Sequence, residues 1–148
     1  MKRVFVTALA LLACSPAVLL SETADPIAER QELMSNTREA LKPMIGMIRG
    51  QADYDADVVM KGLEVMKHTA ANAGELFPEG TETGGDTEAK ATIWSDRAGF
   101  DKAMMDFNVA VDAAIAAAPQ DVDAFKPVMN DIMGTCKGCH DGYRVDKD

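Results

Sequence analysis

Apolar residues return every three or four positions along nearly the whole chain from Ile27 onward, and no stretch alternates residue by residue as a half-buried strand does. That period predicts four amphipathic helices. The first opens with Asp25 as N-cap and Pro26 at the first helical position, where the missing N–H costs nothing. Ile27, Met34, Leu41 and Ile48 recur at seven-residue intervals with Arg30, Thr37 and Met44 between them, which defines an inward stripe. Pro43 should kink this helix between Glu39 and Pro43, and Gly50 should end it.

After Gln51-Ala52-Asp53-Tyr54 a second helix, capped by Asp55 or Asp57, turns Val59, Leu63, Met66, Ala70 and Ala73 inward; Gly62 and Thr69 are small enough to admit a close neighbour. Phe77 to Lys90 is rich in turn formers (Pro78, Gly80, Gly84, Gly85, Asp86) and longer than most connections. Two readings stay open for it: a cover over the edge of a bound group, or a plain linker. The third helix carries Ile93, Arg97, Phe100, Met104, Phe107, Val111, Ala114 and Ala118 until Pro119 stops it; Trp94 either packs against a bound ring or fills core, the default for a large aromatic. The last opens at Asp121 or Asp123 and aligns Val122, Phe125, Met129, Ile132, Cys136, Cys139 and Tyr143. Four helices joined by two short links and one long one make an all-α, antiparallel up-down four-helix bundle.

Residues 1–21 read differently. Lys2 and Arg3 precede the apolar run Val4 to Ala13, and Ser15-Pro16 breaks it too early for a membrane span, so the segment is expected to be an export signal, with 22–148 as the mature domain. Export would leave Cys136 and Cys139 as the only cysteines, which excludes a disulfide framework. Loss of Lys2 and Arg3 without any acid takes the formal charge from −9 to −11, so nucleic acid and anionic membrane surfaces are poor partners. His68, off its helix stripe, is expected to be solvated.

The two cysteines stand in Cys136-Lys137-Gly138-Cys139-His140, the pattern of covalent c-type haem attachment. On a helix, positions three and four apart share a face, so both thiols and the imidazole can address one flat macrocycle, and Gly138 would let the ring approach the backbone. Zinc lacks a fourth ligand, a thioredoxin-like pair lacks its βαβ setting, and a disulfide across one helical turn has poor geometry. No acid–base pair suggests an enzyme. Because the haem face and the core face of the last helix coincide, the haem is expected inside the bundle, between the last helix and the first.

Together with this motif, Arg30-Gln31, Lys42-Pro43, Phe77-Pro78, Gly84-Gly85-Asp86, Ile93-Trp94 and Tyr143-Arg144 make the chain resemble the class II c-type cytochromes, the cytochrome c′ family with its low-spin relatives. The resemblance implies one haem c per chain, thioethers at Cys136 and Cys139, and His140 as proximal iron ligand. It places Arg30, Gln31 and Asp86 at the haem or its propionates, and Arg144 near the proximal face. Met34 takes the place of the residue that covers the iron in high-spin members, while Thr37 stands where one low-spin group supplies its methionine ligand. Two functions follow: a periplasmic electron carrier with a protein redox partner, or a five-coordinate module for nitric oxide or carbon monoxide. Pairing of two copies through the first two helices is a further expectation.

Overall fold

The computed structural model describes residues 25–146; the expected export signal at 1–21, including Cys14, lies outside the described residues. The helices are α1 (Pro26–Ile48), α2 (Ala56–Asn72), a short α3 (Thr92–Ser95), α4 (Arg97–Ala117) and α5 (Val122–Tyr143), with one 3₁₀ turn at Ala73–Leu76. Among the described residues the only strand-like pairing is an isolated bridge between Ala89 and Arg144. The four long helices form an antiparallel bundle in which α1 packs on α2, α2 on α4 and α4 on α5, whereas α1 and α5 touch only lightly. The α1–α5 side is therefore where the bundle opens.

Local chemistry sets the helix starts. Asp25 accepts from the Ile27 amide at 2.9 Å, Asp55 from Asp57 and Val58, and Asp121 from Ala124 at 2.8 Å, so each carboxylate satisfies amides that lack intrahelical partners. Gly50, with φ of 68°, turns the chain out of α1 in the left-handed region that glycine enters freely. α1 runs without interruption through Pro43. Its innermost side chains are Arg30, Met44 and Met47, and Met34 is 36% exposed. The row Arg30, Thr37, Met44 thus lies deeper than the heptad row beside it, because α1 has a packed neighbour on one flank and the opening on the other.

The third predicted helix is divided. Asp96 has φ −125° and ψ 56°, outside the helical region, and its carboxylate accepts from the Gly99 amide at 3.2 Å to start α4 afresh. Ile93 and Phe100 are both buried across this break, so the apolar period continues although the helix does not. Arg97, expected inward, is exposed and bonds Asp101 and the carbonyls of Gly74 and Phe77. Ala118 is exposed and ends α4 in a left-handed conformation, and Pro119 after it cannot continue the helix.

One half of the core is closed. Met44, Val59, Leu63, Val111, Ala114, Phe125 and Ile132 are all 0% exposed, and Tyr54 tilts over Phe125 while donating to the Pro119 carbonyl at 2.6 Å. Gly62 marks the tightest helix approach: a Cβ there would lie 2.8 Å from the terminal methyl of Met44. Among the described residues no helix is long and apolar enough to cross a membrane.

Candidate functional site

The other half of the bundle holds a cavity of about 550 Å³ between α1 and α5, a volume suited to a cofactor. Cys136, Cys139 and His140 line it from α5, as their spacing on one helical face requires. Met34, Thr37 and Leu41 line it from α1, and Ile93, Phe100, Met104 and Phe107 give it an apolar floor. Both thiols are free and half-buried. Burial pushes both thiols above their ordinary range, so they are held protonated at neutral pH.

His140 is half-buried, and its imidazole is pushed below the usual histidine range by that burial and by the Arg144 guanidinium, against weaker pulls from Asp141 and Glu88. Arg144 Nη1 stands 3.4 Å from His140 Nδ1, so the guanidinium charge lies beside the ring and favours its neutral form. A neutral imidazole is the form that ligates a metal. Arg144 also faces the Glu88 carboxylate at 3.9 Å.

Arg30 is 4% exposed, yet it does not reach water. Its Nη1 donates to the Leu76 carbonyl and Thr81 Oγ1, and its Nη2 to the Thr81 carbonyl and Thr87 Oγ1, at 2.7 to 3.0 Å. Its guanidinium lies 4.5 Å from the centre of the Phe77 ring. Burial lowers its pKa, while Asp25 and Glu82 pull it back, and an arginine remains charged throughout. All four terminal N–H groups therefore hold the long loop and the 3₁₀ turn that leads into it, and only Nε–H is left for any other partner. Gln31 donates to the Asp86 carbonyl at 3.0 Å; both residues are exposed at the cavity rim.

The loop from Phe77 to Lys90 lines the cavity through Phe77, Asp86, Thr87, Glu88 and Ala89, which favours the cover over the plain linker. Its far end is tied to the end of α5: Lys90 N–H donates to the Tyr143 carbonyl at 2.9 Å, Val145 N–H to Glu88 at 2.8 Å, and the Thr92 hydroxyl to Gly142 at 2.9 Å. Sequence reasoning missed this double anchorage, since Thr81, Thr87 and Glu88 sit in a segment without period. Trp94 is half-buried at the loop rather than in the core, with its indole N–H on the Pro78 carbonyl at 3.1 Å. Gly138 is exposed, and a Cβ there would meet no protein atom within 4 Å. His68 is exposed, as expected.

Two thiols and a neutral imidazole on one face, opening on a cavity with an apolar floor, are the donor set of a covalently held haem and fit that group. Among the described residues no three His, Cys, Asp or Glu side chains gather around one point, so a metal site made by the protein alone has no ligand set there.

The model of the family described as Cytochrome C' matches residues 25–144. Cytochrome c′ of Rhodopseudomonas palustris is 36% identical over 123 residues, which are 83% of this chain and 84% of that protein. Cytochrome c-556 of the same organism is 30% identical over 148 residues, 97% of each chain. Among solved structures, cytochrome c′ from Rhodopseudomonas palustris superposes with a TM-score of 0.80 at 35% identity, covering 84% of this chain and 98% of that one. The nitric oxide complex of a variant of cytochrome c prime from Alcaligenes xylosoxidans reaches 0.74 at 33% identity, covering 83% and 95%.

Proposed function

The chain belongs to the cytochrome c′ family, whose members carry a covalently attached haem c, and from that premise we propose that it is a periplasmic electron carrier. One observation carries the reading: Cys136, Cys139 and His140 all open on the cavity between α1 and α5. Cys136 and Cys139 would hold one haem by thioethers, and the His140 imidazole would ligate its iron. When bound, the group supplies a one-electron iron couple, set by axial ligation, burial and neighbouring hydrogen bonds. The rest is work for the side chains. Ile93, Phe100, Met104 and Phe107 keep water from the floor of the site, Arg144 orients the imidazole and adds a positive charge beside it, and Arg30 fixes the cover loop. Gln31 at the rim, held by the Asp86 carbonyl, and the remaining Nε–H of Arg30 would donate to the propionates. No bond of a substrate is made or broken, and no residue is assigned a catalytic role. Residues 1–21 are the export signal in this reading, and a protein redox partner takes the electron.

A second reading, binding of nitric oxide or carbon monoxide, is favoured by what α1 places opposite His140: Met34, half-exposed on an unbranched chain, and Thr37, a poor haem ligand. Met34 would then cover that face of the group without supplying a ligand, on a side chain flexible enough to admit a gas. The related nitric oxide complex supports this use of the fold. Pairing of two copies through α1 and α2 belongs to the same reading; a shallow groove lined by Leu33, Glu39, Glu64 and His68 lies on that face.

The test is the mass of the purified holoprotein with its absorption spectrum in both oxidation states, with and without carbon monoxide. Expected are one haem that acidic organic solvent does not extract, a high-spin spectrum, and carbon monoxide binding to the reduced form. An extractable haem overturns the attachment. A sulfur-ligation band at the red end of the ferric spectrum that Met34→Leu abolishes overturns the open face and leaves a pure electron carrier.

A further inference from the structure

Behind the exposed rim residues Gln31 and Arg38, the cavity contains a buried hydroxyl pair. Thr37 Oγ1 on α1 and Thr69 Oγ1 on α2 lie 2.8 Å apart, and both residues line the cavity. Thr69 is 1% exposed and is the only residue that α2 contributes to the cavity wall. Its oxygen also lies 3.3 Å from the Leu33 carbonyl oxygen.

A hydroxyl carries one proton, so two arrangements satisfy the buried Thr69. In the first, Thr69 donates to Leu33, Thr37 donates to Thr69, and Thr37 offers the cavity only lone pairs. In the second, Thr69 donates to Thr37 and the Thr37 proton is free to turn into the cavity. The second uses the contact of normal O–H···O length, whereas 3.3 Å is long for such a bond. Neither hydroxyl is needed for packing, because a pair of valines would fill the same shape at little or no cost in stability. What the pair adds is one polar contact, in an otherwise apolar depth, that can donate.

We propose that Thr37, set by Thr69, selects among diatomic ligands: it donates a hydrogen bond to the outer atom of bound nitric oxide and so favours nitric oxide over carbon monoxide. The inference rests on the open haem face proposed above and deepens it. Bound nitric oxide carries more negative charge on its outer atom than bound carbon monoxide, so one donor separates the two gases. The charged Arg30 does not compete for this role, since its terminal N–H groups are all bound to the loop and the turn that leads into it.

The experiment uses the holoprotein and its Thr37→Val and Thr37→Ser variants, measuring the affinities of the reduced form for nitric oxide and carbon monoxide and the C–O stretching band of the carbon monoxide complex. Thr37→Val is expected to lower the nitric oxide to carbon monoxide affinity ratio about three- to tenfold, the worth of one net hydrogen bond, and to move the C–O band to higher frequency. Thr37→Ser keeps the hydroxyl and should restore both readouts. A ratio and band unchanged in Thr37→Val, or shifted alike in both variants, overturns the assignment while gas binding itself stands. A wild-type protein that binds neither gas overturns the open face and this inference together.

Discussion

The two ends of the bundle solve the problem of a core in different ways. At the end bounded by Tyr54 and Pro119, Met44, Leu63, Val111 and Phe125 close on one another with no exposed surface, and helix rests directly on helix, down to Gly62 against Met44. At the end bounded by the loop, α1 and α5 stand apart around a cavity, and polar bonds replace apolar contact: Arg30 holds the loop to α1, and Lys90, Thr92 and Val145 hold it to α5. The difference teaches where stability and function reside. Close packing holds the helices together at one end, whereas at the other the loop is a strap whose bonds tie the two helices that bracket the cavity.

This contrast can be broken from either side. The largest effect is expected at the packed end, where Phe125→Ala removes a ring that is 0% exposed and should lower the unfolding free energy by about 3–5 kcal/mol in a denaturant titration. The haem spectrum should barely move, because Phe125 does not line the cavity. At the strapped end, Arg30→Leu leaves the carbonyls of Leu76 and Thr81 and the Thr87 hydroxyl without their donor; roughly 2–3 kcal/mol should be lost, with part of the cost recovered by water. Amide exchange should accelerate across residues 77–90 and leave the Phe125 end protected, a local opening that Phe125→Ala would not produce. Equal acceleration at both ends would show that the halves form one cooperative unit. The smallest change concerns the tightest helix contact: Gly62→Ala places a methyl 2.8 Å from the Met44 methyl, and crowding should cost about 1–2 kcal/mol, read as a lower Tm with an unchanged spectrum.

Much of this architecture is legible along the chain. The caps at Asp25, Asp55 and Asp121 and the inward row of α5 from Phe125 to Cys139 follow from neighbours within a few helical turns, and the smallness of Gly62 marks where another helix can come close, though not which one. The attachment motif is legible for the same reason, since three side chains within five residues share a face wherever the helix lies. The break at Asp96 was hidden because the apolar spacing of Ile93 and Phe100 survives it, and only the Tyr143 hydroxyl, 3.0 Å from the Asp96 carboxylate, shows what the bend is for. Met34 was assigned to the inward stripe by its period, yet it faces the opening, because a heptad row does not say which flank of a helix has a neighbour.

Four long helical segments, the caps at Asp25, Asp55 and Asp121, the face that carries Cys136, Cys139 and His140, and the family are written in the sequence, while the division at Asp96 is not. Only the tertiary structure decided that Arg30 grips a loop 46 to 57 positions away, that Thr37 meets Thr69 across 32 positions, and that the loop closes on α5. Periodicity encodes how a segment partitions between water and an apolar interior. It carries no record of which distant donor finds which acceptor, and that choice is made when the helices pack and leave each buried polar atom one set of partners within reach.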